Sequence, residues 1–151
     1  MNQKQDQQKL EKIVDIMLEM TKINDHNELL VKLKEGASKL TNCDTVEALI
    51  IDHNTGYFLT NNDKKFKSSS GITGLAIQEE RPIRANDISK PEWQKHYIKF
   101  YPHTRSEIAL PLVIDGVTVR KNTELSTGSK VLGVLNIESP YVNAFSEEDQ
   151  H

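Results

Sequence analysis

The chain has 151 residues, 36% of them hydrophobic, and a formal net charge of -3. That length suits one domain with a helical arm, and the mildly acidic balance makes no electrostatic case for nucleic acid or an anionic membrane as partner. No apolar run nears the ~20 residues of a bilayer span, the first ten residues lack the apolar stretch of a signal peptide, and the single Cys43 excludes an intrachain disulfide or a cysteine-based zinc site, so the expected address is the cytoplasm.

Met1 to Lys9 reads as a polar tail. Apolar residues then recur at helical spacing at Leu10, Ile13, Val14, Met17, Leu18 and Ile23, with Glu and Lys between them. So narrow a stripe on a terminal helix suits pairing with another helix, as in a homodimer, or lying on the chain's own sheet. Asp25 followed by Glu28 resembles a capping box that opens a second helix, which runs to about Leu40. The spacing of Leu29, Leu30, Leu33, Ala37 and Leu40 gives that helix one core-facing side.

A strand is expected over Val46–Asp52, a turn at His53-Asn54-Thr55-Gly56, and a returning strand over Tyr57–Thr60. Asn61 to Ser70 is polar and lysine-bearing. It reads as a solvated loop, and no P-loop spacing is present. A short helix follows over Ile72–Glu79, then a short strand over Ile83–Ala85. Asn86 to Thr104 is irregular and aromatic, with Pro91 placed to begin a short helix through Tyr97.

Ser106–Ile114 and Val131–Glu138 are aliphatic runs bounded by turn formers, and they read as neighbouring central strands. Between them Val117–Arg120 extends a hairpin and Asn122 to Ser129 is loop-like. Ser146 with Glu147, Glu148 and Asp149 reads as a helix start. With no helix after it, that start points to a fragment of a longer protein whose output domain follows.

Strand alternation sorts the side chains by face. Glu107, Ala109, Pro111 and Val113 share one side of their strand, and Ile108, Leu110 and Leu112 share the other. Glu47, Leu49 and Ile51 oppose Val46, Ala48 and Ile50, while Val134, Asn136 and Glu138 oppose Leu135 and Ile137. The purely aliphatic set suits packing under helices. The mixed set brings Glu47, Glu107, Asn136 and Glu138 around one space, with acidic walls suited to a ligand that carries N–H donors. In the alternative, the three glutamates are solvated strand ends.

The ordered pieces Gly71-Ile-Thr-Gly-Leu-Ala76, Arg81-Pro-Ile83 and Asp87-Ile88, then Arg105-Ser-Glu-Ile-Ala-Leu-Pro-Leu112, Leu132-Gly-Val-Leu-Asn-Ile-Glu-Ser-Pro140 and Ala144-Phe-Ser-Glu-Glu-Asp149, resemble the GAF domain family. The resemblance implies an α+β fold: a central antiparallel sheet of five or six strands, with helices packed on one face. A ligand pocket would lie on the other face, roofed by the helix from Ile72 and by residues 86–104. Residues 1–24 would be a dimerisation or signalling helix and 25–149 the GAF-like domain. The implied role is a non-enzymatic sensor that binds an unidentified small molecule and signals to an output domain. The alternative is a GAF-like dimerisation module without ligand. The connection Asp115–Lys130 is longer than the short turn usual in this family. The Cys-His pair of bilin-binding members, the Asn-Lys-Phe-Asp-Glu set of cyclic-nucleotide-binding members and the several cysteines of methionine sulfoxide reductases are not found, so no cofactor or ligand is named.

The expected ligand-binding residues are Glu47, Leu49, Ile88, Trp93, Tyr97, Arg105, Glu107, Ala109, Asn136 and Glu138. Trp93 and Tyr97, four apart, would form an aromatic lid or simply anchor a loop. Arg105 would bridge Glu107, hold an anionic group, or form a surface ion pair. The five histidines are scattered without metal-ligand spacing, and Cys43 reads as a small buried hydrophobe.

Overall fold

The computed structural model describes residues 3–20, 22, 25–43, 45–59, 66–121 and 124–150. Helix α1 spans Gln3–Met20 and packs against α2, His26–Thr41. The helices approach closely at Gly36, where an added Cβ would lie 2.9 Å from Ile16 Cγ2. The N-terminal segment expected as a polar tail is therefore helical from Gln3. Its glutamines and lysines are good helix formers, so they prolong the helix without an apolar stripe to announce it. Ile23 lies outside the described residues, as do the side chains of Leu10 and Met17. At the start of α2 the Asp25 carboxylate accepts the Glu28 N–H at 2.9 Å, the cap its sequence suggests.

Five strands form one sheet: β1 Thr45–Asp52, β2 Tyr57–Leu59, β3 Ile83–Ala85, β4 Ser106–Lys121 and β5 Glu124–Ser139. Their order is β2-β1-β5-β4-β3, and every neighbouring pair is antiparallel. Asp52 organises the β1–β2 turn by accepting Asn54 N–H and Thr55 Oγ1, and Gly56 supplies the positive φ. Thr60, placed in the returning strand by sequence, and residues 61–65, expected as a loop, lie outside the described residues. Phe66 returns to accept the Phe58 N–H. Gly133 lets β5 sit against β1, since an added Cβ would stand 2.2 Å from the Leu49 carbonyl oxygen.

The long connection is not a loop. Pairing of β4 with β5 continues past two register shifts to Lys121 and Glu124, so residues 117–121 and 124–128 form a two-stranded ribbon beyond the sheet, while residues 122 and 123 of the expected loop lie outside the described residues. Serine, threonine and glycine over 126–129 suggested a loop, but threonine suits a strand and no proline interrupts the pairing.

α2 covers one face of the sheet, with Val46, Ile108, Leu135, Ile137, Cys43 and Phe145 as its buried partners. On the other face lie α3, Gly71–Glu79, and α4, Pro91–Gln94, over a core of Leu49, Ile51, Ile72, Ala76, Ala109 and Val134. The expected division of strand faces is the one observed. α4 is shorter than expected, yet the Tyr97 N–H still donates to the Trp93 carbonyl at 2.8 Å, so both side chains reach the same core. At the C-terminus Ser146 bonds Asp149 and a single 3-10 turn follows over Glu148–Gln150. No helix among the described residues is long and apolar enough to cross a membrane.

Candidate functional site

Strand register assembles the polar centre. Glu107 of β4 stands directly opposite Glu138 of β5, and Ala109 stands opposite Asn136, which Glu47 of β1 flanks on its other side. β3 sets Ala85 beside Glu107. The small Ala85 and Ala109 leave the polar groups under the roof without bulk on either side.

Glu107, Asn136 and Glu138 are each only 2% exposed. Glu138 accepts hydrogen bonds from Thr104 Oγ1 and from Asn136 Nδ2, the latter at 2.9 Å. Among the described residues the buried Asn136 Oδ1 atom finds no partner, and the buried Tyr97 hydroxyl lies beside Thr104 without a well-formed hydrogen bond. Burial, and then the charge of Glu138, hold the Glu107 carboxyl well above its ordinary value of 4.5. Burial also raises Glu138, while its bonds from Thr104 and Asn136 pull it back down. Burial and the two nearby carboxylates raise the Tyr97 phenol. The centre is thus rich in acceptors and poor in donors. Among the described residues, no group of three His, Cys, Asp or Glu side chains could hold a metal ion.

Glu47 does not join this centre. It sits at the margin of β1, where it accepts Lys34 Nζ at 2.8 Å from the α2 side and the Tyr101 hydroxyl at 3.1 Å from the roof. Burial and the Glu47 charge push the Tyr101 phenol up to about 12. Leu49 and Ala109 are core residues beneath the roof, and Ile88, Trp93 and Tyr97 pack half-buried against that core. Arg105 is exposed and does not face Glu107. Its backbone N–H bonds the Ser139 carbonyl at 2.7 Å and its carbonyl accepts from Ile88. Thr104 went unread in the sequence because a threonine just before a strand looks like any loop residue; its Glu138 bond depends on the chain path.

The roof and the exit of β5 share anchors. Ser106 Oγ donates to the Tyr141 carbonyl at 2.7 Å, and the Asn143 N–H donates to the Asn86 carbonyl at 2.8 Å. Arg84 reaches the Phe145 carbonyl at 3.2 Å. Two clefts flank the roof. One of about 470 Å³ is lined by Ser70, Gly71, Lys95, His96 and Tyr97. The other, of about 1090 Å³, runs along the β1 margin between α2 and Phe100 and Tyr101. Neither is lined by Glu107, Asn136 or Glu138.

No family model matches the sequence, and no curated protein matches it. Solved structures do match. The GAF domain of an Acinetobacter phosphoenolpyruvate-protein phosphotransferase is 19% identical with a TM-score of 0.70, over 99% of this chain and 85% of that one. The corresponding Coxiella burnetii GAF domain is 17% identical with a TM-score of 0.60, over 94% and 83%. A free methionine-R-sulfoxide reductase from Neisseria meningitidis, solved with its substrate, is 16% identical with a TM-score of 0.70, over 94% and 79%. This last likeness corrects one expectation. The chain was expected not to be an enzyme, but its fold is one that enzymes share with regulatory domains, and fold gives no ground for that exclusion. Cys43 lies on the α2 side of the sheet, away from the acidic centre. The architecture, five antiparallel strands between α2 and a roof of short helices, is the GAF-like fold.

Proposed function

We propose that the chain is a regulatory module that binds a small molecule bearing N–H donors, an ammonium group above all, at Glu107, Asn136 and Glu138. The observation that carries this reading is the buried Asn136 Oδ1, unpartnered among the described residues, beside two carboxylates that no described cation neutralises. An ammonium offers three donors and a positive charge, which such a centre lacks. Ile88, Trp93 and Tyr97 would cover the ligand, and Leu49 and Ala109 would floor it. Glu47 and Arg105 would act from the rim. The module would work in the cytoplasm and pass its signal to an attached output domain through the chain that leaves β5. One structural neighbour is named for free methionine-R-sulfoxide, itself an ammonium-bearing molecule.

A thermal-shift screen of amino acids, amines, nucleotides, tetrapyrroles and organic acids tests the reading. A ligand at a hundredfold excess over its Kd stabilises by about 2.7 kcal/mol, a rise of roughly 5–10 °C for a domain of this size. Amine-bearing compounds should raise the Tm and their deaminated counterparts should not. Equal shifts from both, or none from any amine, would reject it. The second reading, a dimerisation module without ligand, is favoured by the near-complete burial of Glu107, Asn136 and Glu138. Silence across the screen would support it.

A further inference from the structure

Antiparallel register places Glu107 and Glu138 directly opposite each other, where Cβ atoms stand about 4.5–5.5 Å apart. Two carboxylates at that spacing, both buried, do not ionise together. The described residues of the surrounding elements offer no relief. From β1, Glu47 is engaged by Lys34 at the sheet margin. From β3, Arg84 turns to Phe145 and Glu147. The roof presents the phenols of Tyr97 and Tyr101 and the hydroxyl of Thr104. α3 contributes Ile72, Thr73 and Ala76. On the roof's outer side Lys95 and His96 line the 470 Å³ cleft, and the charge of Arg105 falls on Asp87. Among the described residues, the one charge that bears on Glu107 is Glu138. The two acids are also unequal. Thr104 and Asn136 donate to Glu138 and favour its ionised form, whereas no described donor reaches Glu107.

Resting on the amine site proposed above, we infer that the Glu107–Glu138 pair holds one proton while the site is empty and releases it to water when an ammonium head group enters. The Glu107 O–H bond breaks and its proton leaves for solvent. Both carboxylates then accept from the ligand's N–H groups, whose bonds stay intact. The pair goes from one negative charge to two as the ligand brings one positive charge, so the net charge of the site is unchanged. Binding is therefore coupled to pH. Affinity rises up to tenfold per pH unit while the empty pair is protonated and levels off above its titration.

Infrared spectroscopy of protein labelled with carboxyl-¹³C glutamate reads the proton directly, with ethylammonium chloride as probe and potassium chloride as the ionic control. The inference expects a buried carboxylic-acid band that persists as the pH rises above the ordinary carboxylate range, absent in Glu107→Gln and lost as ethylammonium saturates the site. Glu107→Gln copies the neutral acid in shape. Should it fail to fold, a pH titration of the wild-type band gives the same readout. Absence of the acid band from the empty wild-type protein overturns the inference. A band that persists while ethylammonium raises the Tm overturns proton release but leaves the amine site standing. Ethylammonium without effect on the Tm defeats the site itself. Loss of the band with magnesium or calcium chloride but not with ethylammonium would make this a divalent-cation site and overturn the inference.

Discussion

A glutamate between an alanine and another glutamate, deep under a roof, survives burial by keeping a proton or meeting a cation. The raised Glu107 carboxyl corresponds to the first option, and the consequence for stability has a definite sign. Its carboxyl is raised above 4.5 by burial and then by Glu138, so above the ordinary range the folded protein binds more protons than the unfolded chain. The stability this contributes is fully present below the unfolded value and is lost as pH rises through the folded value. Urea midpoints of the wild type should therefore fall as the pH rises above the ordinary carboxylate range. Glu107→Gln should flatten that slope and be more stable at the upper end by about 1–3 kcal/mol. A wild-type midpoint that rises over the same window would contradict the assignment. Glu47, one strand away, behaves differently because Lys34 and the Tyr101 hydroxyl already satisfy it at the sheet margin. Alternation put Glu47 on the same face as the other acids, but it carries no information about where a neighbouring strand ends.

Among the elements, α1 keeps apolar side chains at the surface among its described residues. Ile13, Ile16 and Met20 are half-buried, while Val14 and Leu18, one turn apart, are 45% and 55% exposed. We propose that these two residues meet their counterparts in a homodimer. Leu18→Lys should then lower the sedimenting mass to that of a monomer while leaving the Tm of the dilute protein within a few degrees; an unchanged oligomer would reject the arrangement. α2 and β1 were legible in the sequence because each carries its own period and its own stop, Asp25 at one end and the Asp52–Gly56 turn at the other. The ribbon was not. Its serines and threonines carry turn and strand propensity alike, and the pairing partner that decides between them lies across the hairpin.

On the scale of the whole molecule, β5 is central in the sheet, in the acidic site and in the exit of the chain. The sheet faces could be sorted from sequence because a two-residue period is local. The mutual burial of Glu107, Asn136 and Glu138 could not be settled that way, because it depends on a roof drawn from residues 86–104. That roof is tied to the sheet through Thr104 at Glu138, Ile88 at Arg105 and Asn86 at Asn143. Removing the first tie with Thr104→Val should quicken amide hydrogen exchange at Arg105 and Asn143 several-fold and leave β1 amides unchanged. Equal exchange in both proteins would show that the roof is held by packing alone.

Glu138 and Ser139 are joined by one peptide bond, and the Ser139 carbonyl is the point at which Arg105 grips the departing chain. The carboxylate buried in the acidic centre and the carbonyl that fastens the end of β5 thus belong to adjacent residues, with one peptide unit between them.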